Sequence, residues 1–152
     1  MNTHVTMHFT IEELCASDTA KAKGISNKPN TQQIINLVYL TANVLEPLRI
    51  AMGEPIKIGS GFRSEALNKA VGGVKNSQHI KGQAADLCID GDIEKGKRWF
   101  NYIRQHLQFD QLIWEHNMKG SYWVHVSFVH PDFGKNRRQV IDNLLKNNDQ
   151  HK

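Results

Sequence analysis

The stretch Ser60 to Asp86, SGFRSEALNKAVGGVKNSQHIKGQAAD, constrains this chain more than any other. His79 and Asp86 stand seven positions apart, with glycines and small residues between and before them. A strand-like run, Ala84-Ala85-Asp86-Leu87-Cys88-Ile89, closes the stretch, and Arg63 lies upstream in Ser60-Gly61-Phe62-Arg63-Ser64. An imidazole and a carboxylate placed in this way supply half of a zinc site and part of a pocket. The remainder of the chain has to supply the other half.

At 152 residues the chain reads as a single domain spanning 1–152. A chain of this length buries roughly 68–70% of its unfolded surface, enough for a true core. Its net charge of +4 is spread along the sequence rather than blocked. That favours anionic partners such as nucleic acid or cell-wall polymers without choosing between them. No basic helix or aromatic-basic array accompanies the charge, so a nucleic-acid partner is not expected. The start, MNTHVTMHFTIEEL, has no basic segment followed by an apolar run, so no signal peptide is expected. No window approaches 18 consecutive apolar residues, so no membrane insertion is expected either. Two cysteines, Cys15 and Cys88, are too few for a disulfide framework or a thiolate zinc site and read as buried free thiols.

Thr10-Ile11-Glu12-Glu13 has capping-box spacing and opens a short helix to about Ala16. Ser17 to Asn30 is polar, carries Gly24 and Pro29, and reads as loop. From Thr31, Ile34, Leu37, Val38, Val44, Leu45 and Leu48 recur at helical spacing, with Pro47 set to kink the helix and Gly53 to end it. Ile56 to Ile58 alternates as a strand; Ser64 to Val71 makes a helical turn or two, broken by Gly72-Gly73. Asp92 caps a second long helix reaching Leu107. Gln111 to His116 and Tyr122 to Phe128 form a hairpin around Asn117-Met118-Lys119-Gly120-Ser121. The tail, 129–152, is basic, with Val140 to Leu145 as a last helix. This order predicts an α+β fold, a small antiparallel sheet flanked by helices.

The second hairpin strand offers a third ligand. Side chains alternate along a strand, so His125 shares a face with Trp123 and Ser127, while Tyr122, Val124, Val126 and Phe128 face the core. His116 and His130 are rivals, but His116 alternates away from Glu115 and His130 lies beyond the strand beside a proline. Residues paired across an antiparallel hairpin have a constant position sum. If that sum is even, Glu115 lies on the face of His125, and a turn centred on Gly120 puts them directly opposite. A slip of one residue sends Glu115 to the other face. A carboxylate there can act as a general base without being a ligand. Taken singly, each of these residues has an ordinary alternative: a surface imidazole, a solvated carboxylate, a core tryptophan.

Ser77-Gln78-His79-Ile80-Lys81-Gly82-Gln83-Ala84-Ala85-Asp86 resembles the Ser-x-His-x-x-Gly-x-Ala-x-Asp motif of the zinc D-alanyl-D-alanine carboxypeptidase family, whose relatives include phage peptidoglycan endopeptidases and hedgehog domains. Ser60 to Ser64 resembles the preceding Ser-Gly-[Tyr/Phe]-Arg-Ser motif, and Trp123 to Ser127 the closing Trp-x-His-x-Ser motif. Phe109 to Glu115 resembles the strand that carries the acid in the phage-type branch. The resemblance implies the hedgehog/DD-peptidase fold and one zinc ion per chain on His79, Asp86 and His125. It implies Glu115 as catalytic base, Arg63 as the arginine contacting substrate and oxyanion, and Ser77 as a pocket residue. Trp123, on the His125 face, is a further candidate for substrate binding. Several carboxypeptidases place the base three residues before the last histidine; here that position is Tyr122.

The implied activity is zinc-dependent hydrolysis of a peptide bond in the peptidoglycan stem. L-alanyl-D-glutamate endopeptidase and D,D-peptidase chemistry are both open. The expected protein is a monomeric phage or prophage endolysin, made in the cytoplasm and reaching the wall after lysis-type release or inside a virus particle. The competing reading is a catalytically silent zinc-containing module that binds the cell wall or builds a virion. A carboxylate beside the site argues against it, since a binder needs no general base.

Overall fold

The computed structural model describes residues 3–144. Its first helix, α1 (Ile11–Leu14), begins as the spacing predicts: Thr10 accepts from the Glu13 amide, and the Glu13 carboxylate accepts from the Thr10 amide at 2.9 Å. The stretch read as loop contains a helix, α2 (Asp18–Lys23). Ser17 caps it and Gly24 ends it, so a short polar helix needs no buried stripe to form here.

The long helix runs as α3 (Thr31–Leu40), one wide π turn (Thr41–Leu45) and α4 (Glu46–Met52). Pro47 does not break it. The proline removes a donor and crowds the preceding turn. The turn just upstream is widened instead, with Glu46 N donating to Thr41 O. Leu37, Leu40, Val44, Leu45 and Leu48 are fully buried. By length and composition alone Thr31–Met52 is long and apolar enough to cross a membrane, a mark that a core helix shares, and its leucines are buried against the rest of the fold.

Five strands form one sheet: β1 (Lys57–Ser60), β2 (Ala84–Cys88), β3 (Gln111–His116), β4 (Tyr122–Ser127) and β5 (Gln139–Asp142), in the order β1-β2-β4-β3-β5. The first four pair antiparallel; β5 runs parallel to β3. The sheet is therefore mixed rather than purely antiparallel. The segment expected as a last helix begins as this edge strand, and the part of it from 145 onward lies outside the described residues. Two arginines explain the pairing. Arg137 clasps Asp110 with its backbone amide, Nε and Nη2 at 3.0, 2.9 and 2.7 Å. Arg138 lies over the Phe109 ring at 4.6 Å. The chain is thus delivered to the β3 edge in register, Gln111 beside Gln139.

α5 (Glu65–Ala70) is capped by Ser64 and α6 (Ile93–His106) by Asp92. α6 covers one face of the sheet: its Trp99, Phe100 and Ile103 join Leu87, Leu112, Trp114, Val124 and Val126 in the core. Alternation sends Asp86, Ile113, Glu115, Trp123 and His125 to the other face.

Candidate metal centre and cleft

Asp86 and His125 are direct partners across the β2–β4 ladder. His125 Nδ1 lies 2.9 Å from Asp86 Oδ1. His79 arrives from the turn-rich segment before β2, which three contacts hold in place. Its amide donates to Ser77 Oγ at 3.1 Å, and its carbonyl accepts from Arg63 N at 3.0 Å. Gly82 turns the chain with φ +76, and a Cβ there would sit 2.5 Å from Gln33 O, so only glycine fits. His79 Nδ1 is 2.7 Å from Gly61 O. A carbonyl only accepts, so Nδ1 carries a proton; Nε2 faces Asp86 Oδ1, 3.3 Å away, donating to it when protonated and free to bind a metal when not.

The ligating atoms of His79, Asp86 and His125 all lie within 4.8 Å of one another. Two imidazoles and one carboxylate, one imidazole oriented from behind by a backbone carbonyl, fit a divalent metal of the zinc type. Burial pushes the Asp86 carboxyl up, but hydrogen bonds from His125 and His79 outweigh it and hold the group well below the usual carboxylate range. Arg63 braces the same carboxylate, with Nη2 3.4 Å from Oδ2. Its Nε donates to Ser60 Oγ and its Nη1 to Asn68 Oδ1, both at 3.0 Å. Burial lowers the Arg63 pKa, partly offset by the Asp86 charge, and a guanidinium stays protonated at neutral pH.

The hairpin parity places Glu115 on the face of His125, through Ile113↔His125 and Glu115↔Trp123. The turn centres on Lys119 rather than Gly120. Asn117 pairs with Ser121, and Gly120 takes φ +87 at the end of a three-residue loop. Ile113 therefore stands opposite His125, and Glu115 lies one pair further along. Glu115 and His125 line one cleft of about 430 Å³ with Ser77, Lys81 and Arg137. Trp123 stands between Glu115 and Cys88 in the ladders and is not among the residues lining that cleft. Of the rival histidines, His116 is exposed, and His130 packs on Tyr39 with its Nδ1 accepting from Asp132 N.

Sequence reasoning missed Asp110, which is buried at 2% exposure. It accepts from Gln78 Nε2 at 2.9 Å as well as from Arg137, so it ties the His79 segment to the start of β3. The sequence signal was slight: a carboxylate just before a strand, and an arginine pair assigned to a tail. Asn68, the partner of Arg63, carried none.

Buried His79 and part-buried Asp86 and His125 bring together the donor set of a metal-dependent hydrolase, and His125 shares its cleft with the carboxylate of Glu115. The family model for Peptidase M15 matches residues 7–127, and the chain belongs to that family. It is 38% identical over 84 residues to a zinc D-Ala-D-Ala carboxypeptidase of Streptomyces albus G. That match covers 53% of this chain and 31% of the relative, so the chain spans about a third of the length of that protein.

Proposed function

We propose that this chain is a zinc-dependent peptidase that hydrolyses a peptide bond in the peptidoglycan stem. One observation carries the reading: candidate ligand atoms of His79, Asp86 and His125 lie within 4.8 Å of one another, and His125 of that set lines a cleft together with Glu115. His79, Asp86 and His125 would hold one zinc ion. When bound, zinc brings a water pKa to about 7 and polarises a carbonyl. Glu115 accepts the proton of the attacking water on its carboxylate and returns it to the leaving amine. Arg63 sets a fixed positive charge behind Asp86, favourable to negative charge developing on the substrate carbonyl. Ser77, on the wall of the same cleft, contacts the substrate.

The finer reading is a monomeric endolysin of phage type, supported by the likeness of Phe109–Glu115 to the acid-bearing strand of that branch. Action on the wall after lysis-type release or virion delivery belongs to it. Mass spectrometry of digested peptidoglycan separates L-alanyl-D-glutamate from D,D cleavage. The direct test compares zinc content and muropeptide release for wild type and Glu115→Ala. The variant should keep its zinc and lose about 10²–10⁴-fold in rate. Full-rate cleavage by the variant removes Glu115 as base. A wild type purified with zinc present yet free of metal removes the enzyme reading. A zinc-loaded wild type that cleaves nothing is the silent module.

A further inference from the structure

A second groove, of about 650 Å³, adjoins the Glu115 cleft and shares Asn76, Ser77, Gln78 and Lys81 with it. Carboxamides dominate its lining. Most of them are engaged within the protein. Gln33 Nε2 donates to Ile80 O at 3.0 Å, and Asn36 Nδ2 donates to Lys81 O at 2.8 Å. These two bonds moor the His79 segment to α3.

Gln83 differs. It is 7% exposed and lines the groove, yet its carboxamide makes no hydrogen bond to any described residue. Its backbone is held on both sides: N donates to Gln78 O at 3.0 Å, and O accepts from Phe128 N at 2.9 Å. The side chain is therefore fixed at its root and unpaired at its tip. The amide tip opens to the groove rather than being enclosed, so it is placed to pair with a ligand lying there.

The chemistry of that ligand follows from the lining. A carboxamide offers a donor and an acceptor side by side, which a secondary amide matches with two hydrogen bonds. Glu65 offsets one of Lys75 and Lys81, leaving little net charge. Val129 and Phe133, the latter 56% exposed, supply an apolar wall. We propose that this groove is a second substrate subsite, in which Gln83 pairs with a secondary amide of the substrate beyond the cleaved bond. The proposal rests on the peptidase reading above for the identity of that substrate. In peptidoglycan the amide comes either from the stem-peptide backbone or from the acetamido group of an amino sugar.

Gln83→Met keeps the side-chain volume without the amide. It should not lower Tm, because no internal hydrogen bond is lost. It should raise KM about tenfold, the effect of one lost amide pairing, and leave kcat unchanged. Two substrates separate the sources: a sugar-free stem pentapeptide and its disaccharide-bearing counterpart. A KM rise on both assigns the peptide backbone; a rise on the disaccharide form alone assigns the acetamido group. Unchanged KM on both overturns the subsite. A Tm lowered by several degrees with KM unchanged makes Gln83 a structural residue and overturns it too. Phe133→Ala, on the exposed wall, gives the same readout if Gln83→Met folds poorly. Binding is also read without turnover, from the Gln83 side-chain amide resonances of ¹⁵N-labelled wild type titrated with chitotriose or with the pentapeptide. A shift with either probe supports the subsite even in a protein that cleaves nothing; no shift with both overturns it.

Discussion

At His79, a single backbone carbonyl decides which nitrogen is free. Gly61 O engages Nδ1 and so turns Nε2 toward Asp86. Gly61 itself has no room for change, because a Cβ there would lie 2.2 Å from Leu14 O. Gly61→Ala should destabilise the fold by about 1–3 kcal/mol through overpacking. It should also weaken metal affinity on the order of 10–100-fold by displacing the carbonyl behind the ligand. Denaturant titration and competition with a chelator measure the two effects; a variant unchanged in both would show that the carbonyl is dispensable. Cys15 makes a second prediction at this scale. Burial, with the Glu12 charge adding to it, pushes its thiol up to about 11. Native protein treated with iodoacetamide at pH 8 should leave Cys15 unmodified, while unfolded protein reacts. Peptide mapping shows which holds.

Among the elements, β5 is the one that depends most on a side chain. Asp110 receives three hydrogen bonds from Arg137 and one from Gln78. The Arg137 hydrogen bond lowers the Asp110 pKa against the opposing effect of burial. A carboxyl depressed by folding stabilises fully above its unfolded pKa of about 3.9, and that stability fades as pH falls through this value toward the folded one. Asp110→Asn should therefore cost about 2 kcal/mol at pH 7. The gap from wild type should narrow as pH drops below about 4. Urea unfolding of both proteins across pH checks this, and a gap constant with pH would sink it. The same cluster explains where legibility ended. Caps at Thr10 and Asp92, the strand alternation and the hairpin parity are local, and each could be read from neighbouring residues. The grouping of His79, Asp86 and His125 was legible because a motif and an alternation point to these residues. β5 was not: four residues show no period, and their pairing follows from Arg137 meeting Asp110 across 27 positions. Helix α2 escaped for the opposite reason, since it is made by caps alone. The one-pair offset of Glu115 escaped because a left-handed Gly120 moves the turn centre.

For the whole molecule, the candidate metal set gathers donors from three parts of the chain. His79 comes from a turn, Asp86 from β2 and His125 from β4. An ion that binds only the folded state adds about 4 kcal/mol of stability at a thousandfold excess over its Kd. For a chain of this size, chelation should lower Tm on the order of 10 °C. Glu115→Ala should show the same drop, because Glu115 is no ligand. Calorimetry with and without a chelator decides the matter; a Tm indifferent to chelation would remove the metal from the folded state.

The Asp86–His125 pairing has one more consequence. It spans 39 residues, so the chain must close a long loop before the two ligands meet. A nascent chain that has reached Asp86 but not β4 offers only part of a binding site. Metal capture then comes late in folding, and interactions formed late act mainly on the rate of leaving the native state. Added metal should leave the refolding rate nearly unchanged and slow unfolding, so the ion serves as a latch on a structure that the chain has already built.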